Sequence, residues 1–367
     1  QALGWPIVIA PNSGGYGVFA SRDVAAGERV LAECPFALTV SIGKRVHTCS
    51  TCLADSRSAG SPAWTTHCVG GCNTQRYCSI DCQATAAASF HPPNGTECTA
   101  MSTAQSDARH DFETSDDISQ AVRILERRQA GACVHMLNAA GKSVPIDGSS
   151  ASAELRLDYE GYSSRLVGIA PATPEDARSL RRATGATLSA LPEACRVPHA
   201  ELRDLLQRHA CNSFGTHGGG VASFIGFMHL FNHACRPNCV LDHATTLMSD
   251  QPHAQRAFAV VALENIPAGG ELVISYLSHE ALFGDTPCER RAHLLEHYGF
   301  KCGCDRCKET ADEERDGYSA WLMAIRCPYA DQGCSSGMSV PCVGSNGGSR
   351  WCVHCGRSFV CAGADTL

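Results

Sequence analysis

The cysteines constrain this chain more than any other feature of its sequence. Its 367 residues include 23 cysteines and 16 histidines, and many cysteines stand in close pairs such as C-x2-C and C-x3-C. Such pairs match the ligand spacing of tetrahedral zinc sites, whereas disulfide scaffolds are usually short secreted chains. The spacing therefore predicts several zinc sites and a reducing compartment, the cytosol or the nucleus.

Composition narrows the class of protein. A length of 367 residues predicts two or three domains, and 44% hydrophobic residues are enough to build a buried core. The net charge of -7 disfavours nucleic acid as the main partner, because phosphate backbones are bound by basic surfaces. No apolar run reaches membrane-spanning length and no signal peptide is recognisable, so we expect no membrane contact. We also expect a monomer.

The potential zinc ligands fall into three groups along the chain. The first group holds eight ligands between residues 49 and 98, enough for two closed four-ligand sites. The second, in Y-G-F-K-C-G-C-D-R-C, has three cysteines and needs a fourth, which Cys235 or Cys239 could supply. The third, with Cys342 and Cys361 nearby, predicts a zinc ribbon, and a loosely ordered tail with free thiols is the alternative. The third group comprises Cys327, Cys334, Cys352 and Cys355.

The first group resembles the MYND zinc finger. The matching residues are C-N-T-Q-R-Y-C-S-I-D-C-Q from Cys72 to Gln83, F-H at 90–91 and E-C at 97–98, although two spacers are longer than is usual in that family. The resemblance implies interleaved pairs, with Cys49, Cys52, Cys78 and Cys82 on one zinc and Cys68, Cys72, His91 and Cys98 on the other. Four protein ligands leave no position for a substrate, so this zinc would be structural. The finger either only holds the fold or also binds a peptide partner.

Most common catalytic motifs are missing from the sequence. It contains no G-x-G-x-x-G after a strand, no P-loop, no H-E-x-x-H and no G-x-S-x-G. Strand patterns do occur. Residues 18–33 predict a two-strand unit with a turn at Ala26–Gly27, and residues 257–263 and 272–276 predict two strands joined by a turn. The polar stretch F-N-H-A-C-R-P-N-C, residues 231–239, lies upstream of the second unit.

Four motifs in order resemble a SET domain with its post-SET zinc site. They are G-Y-G-V-F-A, then N-H-A-C-R-P-N-C, then G-G-E-L-V-I-S-Y, then the three-cysteine group. A finger inserted after the first SET segment is the layout of the SET–MYND (SMYD) lysine methyltransferases, and the resemblance covers residues 4–308. It implies an α+β fold of small twisted sheets with a pseudoknot. The expected parts are an N-terminal SET segment (1–48), the finger (49–98), a helical insert (99–210), the core SET region (211–285), the post-SET segment (286–310) and a cysteine-rich C-terminal segment (311–367).

The helical insert has weaker signals. Apolar spacing predicts helices over residues 117–128 and 198–209, with the first helix starting at 116–119, and a loop over 138–153. The stretch L-D-Y-E-G-Y-S-S-R should match a cofactor-contacting part of the family.

The resemblance also implies an activity and its residues. It predicts methyl transfer from S-adenosylmethionine to a lysine of a protein substrate, histone or non-histone. Tyr276 would be the catalytic tyrosine, and Tyr298 would line the lysine channel. Cys235 would complete the post-SET zinc site, which gives three zinc sites, or four if the C-terminal cysteines form a ribbon. The implied cofactor-binding residues are Gly15, Tyr16, Gly17, Asn212, Asn232, His233, Tyr276 and Phe300.

Some features depart from the family or leave rival functions open. Ile274-Ser275 replaces the common Phe-Asp before the tyrosine, and His229 stands where a small polar residue is expected. About sixty residues follow the post-SET group, in place of a long helical domain, which puts a substrate cleft walled by such a domain in question. The rival functions are a zinc-based interaction scaffold and a nucleophilic Cys235 with His233 as base, a geometry that residues two apart rarely give.

Overall fold

A computed structural model describes most of the chain. It covers residues 4–12, 15–57, 59–106, 112–132, 134–140, 142–146, 173–216, 219–242 and 257–308, and in the C-terminal segment residues 325, 327–329, 334, 338–342, 348–353 and 355–360. The stretch L-D-Y-E-G-Y-S-S-R lies outside these ranges.

The described residues form an α+β fold of small sheets, as predicted. The strands are β1 Ile7–Asn12, β2 Gly15–Ala20, β3 Arg29–Glu33, β4 Ala37–Val40, β5 Thr66–His67, β6 Arg76–Tyr77, β7 Val134–Leu137, β8 Ser143–Ile146, β9 Phe214–Thr216, β10 Gly220–Ser223, β11 Asn232–His233, β12 Cys239–Asp242, β13 Phe258–Ala262, β14 Val273–Ile274, β15 Ser339–Pro341, β16 Ser349–Cys352 and β17 Ser358–Val360. The helices are α1 Ile80–Ala88, α2 Thr96–Ser106, α3 Phe112–Gln129, α4 Pro174–Ala190, α5 His199–Asn212, α6 His279–Gly284, α7 Pro287–Tyr298 and α8 Asp305–Lys308.

The main sheet is antiparallel and has the order β12-β13-β3-β7-β8. Strand β13, F-A-V-V-A, is buried along its whole length, as is β12, so its continuous apolar run reflects burial on both faces. The strand predicted at 257–263 is therefore confirmed. The two-strand unit predicted at 18–33 is wrong in its pairing, because β2 pairs with β1 while β3 lies between β13 and β7.

A short parallel pair joins two distant parts of the chain. Strand β11 pairs with β14, with Asn232 opposite Val273 and His233 opposite Ile274. The side chain of Asn238 supports this crossing, since its Nδ2 donates to the Glu271 carbonyl at 2.8 Å and its Oδ1 accepts from the Val273 N–H at 2.8 Å. The strand predicted at 272–276 is thus shortened to two residues, and Tyr276 follows it beside the 231–239 stretch.

The insert contains helices and also a hairpin. Helices α3 and α5 confirm the two predicted helices, although α3 begins at Phe112, before the predicted start at 116–119. The loop predicted over 138–153 is wrong in part, because residues 143–146 form β8. Strand β8 pairs with β7, and β7 extends the main sheet through the pair Met136 and Glu33. Tertiary pairing thus overrides the turn-forming residues there.

Helix α7 has strong signals at both ends. Thr286 and Glu289 form a capping box, Pro287 occupies the first turn, and Gly299 ends the helix with a φ of 73°. These residues fix the helix that carries Tyr298. Within the described ranges, no helix combines the length and the apolar composition that a membrane span requires.

Candidate active site and metal centres

The inserted finger holds two four-ligand clusters. Cys49, Cys52, Cys78 and Cys82 form one, and in each cluster the ligand atoms all lie within 4.8 Å of one another. The structure thus brings together the same interleaved sets of four residues that the resemblance implies. The second cluster comprises Cys68, Cys72, His91 and Cys98, all buried.

A buried carboxylate supports the second finger cluster. Glu97 lies between the ligand histidine and helix α3, and its Oε2 is 2.7 Å from His91 Nδ1 and 3.1 Å from Arg123 Nε. It also accepts from the hydroxyl of Ser119 and, at 3.2 Å, from the amide of Gln75. Burial alone would raise the pKa of Glu97, but Arg123 and His91 hold that pKa well below its usual range. The ionised carboxylate therefore orients His91, with its Nε2 directed to Cys72 Sγ at 3.3 Å.

The post-SET cysteines find their fourth ligand in Cys235. The thiols of Cys235, Cys302, Cys304 and Cys307 all lie within 4.8 Å of one another. Cys239, the sequence alternative, lies instead in strand β12 of the main sheet. Arg306 pins the two chain segments together, since its buried guanidinium donates to the carbonyls of Cys235 at 3.0 Å and Leu282 at 2.9 Å.

The C-terminal cysteines form a fourth cluster. Cys327, Cys334, Cys352 and Cys355 converge within the same 4.8 Å limit beside the three-stranded sheet β15-β16-β17. The structure thus brings these four residues together in the way that a zinc ribbon requires. Cys342 stands apart and accepts from the Ser349 hydroxyl, and Cys361 lies outside the described residues.

These donor sets fit zinc. Each cluster offers four sulfur or imidazole nitrogen atoms, the ligands that Zn²⁺ binds tetrahedrally in closed structural sites. All sixteen metal ligands predicted from the sequence take part. Zinc bound at these clusters would hold the fold together and would leave no open position for a substrate.

A polar group forms where strand β2 meets β11. Asn232 Nδ2 donates to the Tyr16 carbonyl at 3.1 Å and to Glu271 Oε1 at 2.8 Å, and Asn12 Nδ2 donates to the same oxygen at 2.9 Å. Gly17 lies against this group, because a Cβ there would be 2.6 Å from Glu271 Oε1. The sequence analysis did not identify Asn12 or Glu271 as members of this group, and the only signal for Glu271 was its position just before the strand predicted at 272–276.

His233 joins the polar group to the post-SET cluster. Its Nδ1 accepts the backbone N–H of Tyr276 at 3.0 Å, so the ring proton lies on Nε2, which is 3.2 Å from Cys235 Sγ. Burial lowers the pKa of His233 to about 4, which keeps the ring neutral. His233 and Cys235 therefore do meet, a contact that residues two apart in the sequence rarely make. Cys235 is nevertheless fully buried inside a four-thiol cluster, which is unsuitable for an exposed nucleophile.

Aromatic rings surround Tyr276. Its ring centroid is 5.0 Å from that of Tyr298, 5.4 Å from that of His233 and 6.3 Å from that of Phe300, the last at an interplanar angle of 88°. The Tyr276 hydroxyl donates to the Phe231 carbonyl at 2.7 Å, and the Tyr298 hydroxyl donates to the Tyr276 carbonyl at 3.0 Å. Burial raises the pKa of both phenols, so both stay protonated.

A buried carboxylate positions the segment that carries Phe231. Glu33, fully buried at the end of β3, accepts the backbone N–H groups of Gly226 at 2.7 Å and of Phe227 and Met228 at 2.8 Å each. Burial raises the pKa of Glu33 to about 7, while the three donors lower it. Because these donors lie just before and at the start of the 3₁₀ turn Met228–Leu230, they fix the approach to Phe231 and Asn232.

A cavity of about 470 Å³ opens beside Tyr276. Tyr276, Tyr298, Asn212 and His229 all line it, and Asn212 sits at the end of α5 with its side-chain amide donating to the Arg208 carbonyl at 2.7 Å. Gly15 has open space where a Cβ would stand and a φ of 128°, which suits glycine. The site residues expected from the sequence thus fall into two groups, one in the cavity and one around Asn232, joined through His233 and Tyr276.

Comparisons with known proteins agree with this arrangement. The family model of the SET domain matches residues 15–277. Human "Histone-lysine N-methyltransferase SMYD3" is 26% identical over 309 residues, which are 82% of this chain and 61% of that protein. Mouse "Histone-lysine N-methyltransferase Smyd1" is 23% identical over 319 residues, 82% of this chain and 55% of that protein.

The relatives are longer than the matched region, because the chain spans only about three fifths of their length. A further relative, "Histone-lysine N-methyltransferase ASHR2" of Arabidopsis thaliana, is 34% identical over 79 residues, 21% of this chain and 18% of that protein. The family match covers well over half of the chain, and the described finger and post-SET clusters have the ligands that the SET–MYND layout requires. The chain belongs to the SET domain family, in its SET–MYND branch.

Proposed function

We propose that the protein transfers a methyl group from S-adenosylmethionine to the side-chain amine of a lysine in a protein substrate, histone or non-histone. The relatives named as histone-lysine methyltransferases support this proposal. The observation that carries it is the Tyr276 hydroxyl, which is held by Phe231 at the edge of an aromatic cavity.

The residues around Asn232 fit the cofactor. Phe300 and His233 offer ring faces 5.9 Å apart by their centroids, which suits contact with a purine, and Asn232 offers polar atoms beside them. The open space at Gly15 lets a ligand approach the backbone of β2 closely. When bound, S-adenosylmethionine supplies a methyl group made electrophilic by its sulfonium.

Tyr276 then orients the reaction. Because its hydroxyl proton is engaged by the Phe231 carbonyl, the oxygen lone pairs are left to accept contacts from an electron-poor methyl group and from an amine. A phenol with a raised pKa stays neutral and performs this role over the whole physiological range. We assign Tyr276 to alignment rather than to proton removal.

The cavity prepares the lysine. Tyr298 packs against Tyr276 at an interplanar angle of 40°, so two rings form one wall for the apolar butyl stem of a lysine. A partly apolar cavity disfavours the ammonium form, which lowers the pKa of the entering amine and yields the neutral nucleophile. Asn212 contributes a polar edge to the same cavity.

Transfer of labelled methyl from S-adenosylmethionine to histones and to a cell lysate tests the proposal. Wild type is compared with Tyr276→Phe and Asn232→Ala, with Tyr329→Phe in the C-terminal segment as the matched control. We expect label on protein lysines with wild type and with the control, and loss in the two site variants. A folded, zinc-loaded wild type that neither binds the cofactor nor transfers label would refute the proposal.

A second proposed function is recruitment of a peptide at the finger. A cavity of about 830 Å³ lies between the finger and helix α3, lined among others by Phe36, Phe90, Pro92 and Arg127. Such a groove suits an apolar peptide segment. Selection from a random peptide library on wild type and on Phe90→Ala tests it, and the absence of any peptide that prefers wild type would contradict it.

We also propose that the protein works in the cytosol or nucleus, because thiol-ligated zinc sites persist in reducing compartments. We further propose that it works as a monomer. Light scattering of the purified protein tests the monomer, and a mass of two or more chains would refute it.

A further inference from the structure

Met338 connects the C-terminal segment to the candidate active site. It lies directly before strand β15, more than 60 positions after Tyr276 in the sequence, and it is only 1% exposed. Yet it lines the same cavity of about 470 Å³ as Tyr276, Tyr298 and Asn212. Met338 therefore contributes to the wall of the cavity that holds the candidate site.

The packing around Met338 is shared between the C-terminal segment and the SET core. Ile325, Met338, Val340 and Val353 belong to one buried apolar cluster with residues of the core and post-SET regions. Those partners include Cys235, Val240, Val261, Leu277, Leu282 and Leu294. Burial of these four apolar side chains anchors the segment against the core.

The fourth cysteine cluster fixes the position of Met338. The backbone N–H of Val353, which directly follows the ligand Cys352, donates to the Met338 carbonyl at 2.9 Å. Ser339 is opposite Cys352 in the β15–β16 register, and the Arg350 guanidinium donates to the Ser339 hydroxyl at 3.0 Å and carbonyl at 2.7 Å. The ligand Cys352 is thus linked to Met338, in the cavity wall, through its neighbour Val353 and one backbone hydrogen bond.

The part of this segment that carries the strands and the ligands, from residue 325 to residue 360, is only about 36 residues long. Modules shorter than about 40 residues rarely build a sufficient core, and structural zinc then supplies folding energy outright. Binding of zinc to Cys327, Cys334, Cys352 and Cys355 would therefore order β15 and β16, and with them Met338.

We propose that the C-terminal four-cysteine module forms one wall of the substrate cavity, and that Met338 is a specificity-determining residue that contacts the stem of the incoming lysine. Its unbranched thioether is adaptable and packs well against aromatic rings and methylene groups. The proposal rests on the proposed function of the same cavity. It adds a residue that contacts the lysine, whereas the residues around Asn232 were assigned to the cofactor and lie in other elements.

Methyl-labelled methionine makes the wall directly observable. The protein has six methionines, so [methyl-13C]methionine gives a spectrum of few signals, and Met338→Leu identifies the one from Met338. The probe is Nα-acetyl-lysine methylamide, titrated in the presence of S-adenosylhomocysteine. We expect the Met338 signal to move with the probe, and to stay in place with the matched alanine compound, Nα-acetyl-alanine methylamide, which lacks the butyl stem.

Each outcome separates this inference from the proposed function. Movement of the Met338 signal without any methyl transfer would support the wall and remove the activity. Transfer to protein lysines with an unmoved Met338 signal would overturn the wall and leave the activity. Neither binding nor transfer would overturn both.

Two variants test the role of Met338 and of its metal. Met338→Ala should raise the KM for a lysine peptide about fourfold, the effect of losing contact with one buried methylene, with kcat and cofactor affinity unchanged. Cys355→Ser should lower the zinc content by one ion and move the Met338 signal toward its position in an unfolded peptide. Val360→Ala, in the same module but 79% exposed, should change neither. An unchanged KM for Met338→Ala in a folded, active protein would overturn the specificity role.

Discussion

Replacing Glu97 with glutamine tests how the finger is coupled to the rest of the fold. The substitution keeps the size of the side chain and removes its charge. Arg123, 5% exposed in its side chain, then loses its 3.1 Å ion pair, and His91 Nδ1 faces either a weaker acceptor or an amide donor. Both losses occur in a place that water does not reach, because Glu97 is 1% exposed.

The magnitude follows from burial. Removing one partner of a buried ion pair typically costs about 3 to 5 kcal/mol, because the remaining charge stays desolvated. Losing the carboxylate that orients a metal-bound histidine typically costs about 10- to 100-fold in metal affinity. We therefore expect Glu97→Gln to lower the free energy of unfolding by about 3 kcal/mol or more, and to accelerate zinc loss from one site of four.

Urea unfolding and zinc release to a colorimetric chelator measure the two effects. The matched control is Glu175→Gln, which also removes a glutamate paired with arginines, but one whose side chain is 64% exposed. An exposed pair contributes about 0 to 1 kcal/mol, so the control should be close to wild type. Equal unfolding free energies for the two variants would refute the reasoning from burial.

The pH dependence has a definite sign. The pKa of Glu97 is lowered in the fold from its ordinary value of 4.5, so its ionised form stabilises the protein above that pH. The contribution is lost as the pH falls below about 4.5 toward the folded pKa. The difference between wild type and Glu97→Gln should therefore be constant near neutral pH and shrink in acid. A difference that grows below pH 4.5 would contradict this assignment.

Three further experiments have expected outcomes. Gly17→Ala places a Cβ 2.6 Å from Glu271 Oε1, so it should displace the Asn232 group and weaken S-adenosylhomocysteine binding in calorimetry. The control Gly185→Ala, in a helix with open space around it, should raise stability by about 0.5 to 1 kcal/mol. Unchanged binding for Gly17→Ala would speak against the group as a cofactor site. Thr286→Ala removes the capping box of the helix that carries Tyr298, so it should lower the free energy of unfolding by about 1 kcal/mol and raise the KM for substrate. The control Thr173→Ala removes the equivalent box of α4 and should lower stability without changing KM. Equal KM effects of the two variants would refute the link between the α7 cap and the substrate cavity. Elemental analysis of the purified protein should give four zinc ions per chain, and a value of three with an intact Cys355 would contradict the fourth site.

Ligand chemistry was readable from the sequence because it is local. The close spacing of Cys302, Cys304 and Cys307 already indicates a site one ligand short, and the continuous apolar run at 257–263 already predicts a buried strand. The spacing alone left Cys235 and Cys239 equivalent as the fourth ligand. Only the tertiary structure separates them, because strand β12 holds Cys239 in the main sheet.

Pairings across the chain were not readable in the same way. Residues 18–33 contain two strand patterns, yet their partners lie in other segments, and the hairpin at 134–146 forms because β3 offers a free edge to β7. A strand pattern specifies which face is apolar and not which neighbour it will find. The contact between His233 and Cys235 likewise depends on the ring orientation that the Tyr276 backbone imposes.

The sequence by itself determined that this chain builds zinc clusters, carries the SET motifs in order and ends its third motif in Tyr276. Those features depend on residue types at short spacing, where covalent geometry limits the possible arrangements. The tertiary structure decided that Glu97 supports the finger from helix α3, that Glu271 and Asn12 hold Asn232, and that Met338 reaches the cavity of Tyr276. Each of these contacts joins residues far apart in the chain, and only packing of the whole core brings them together.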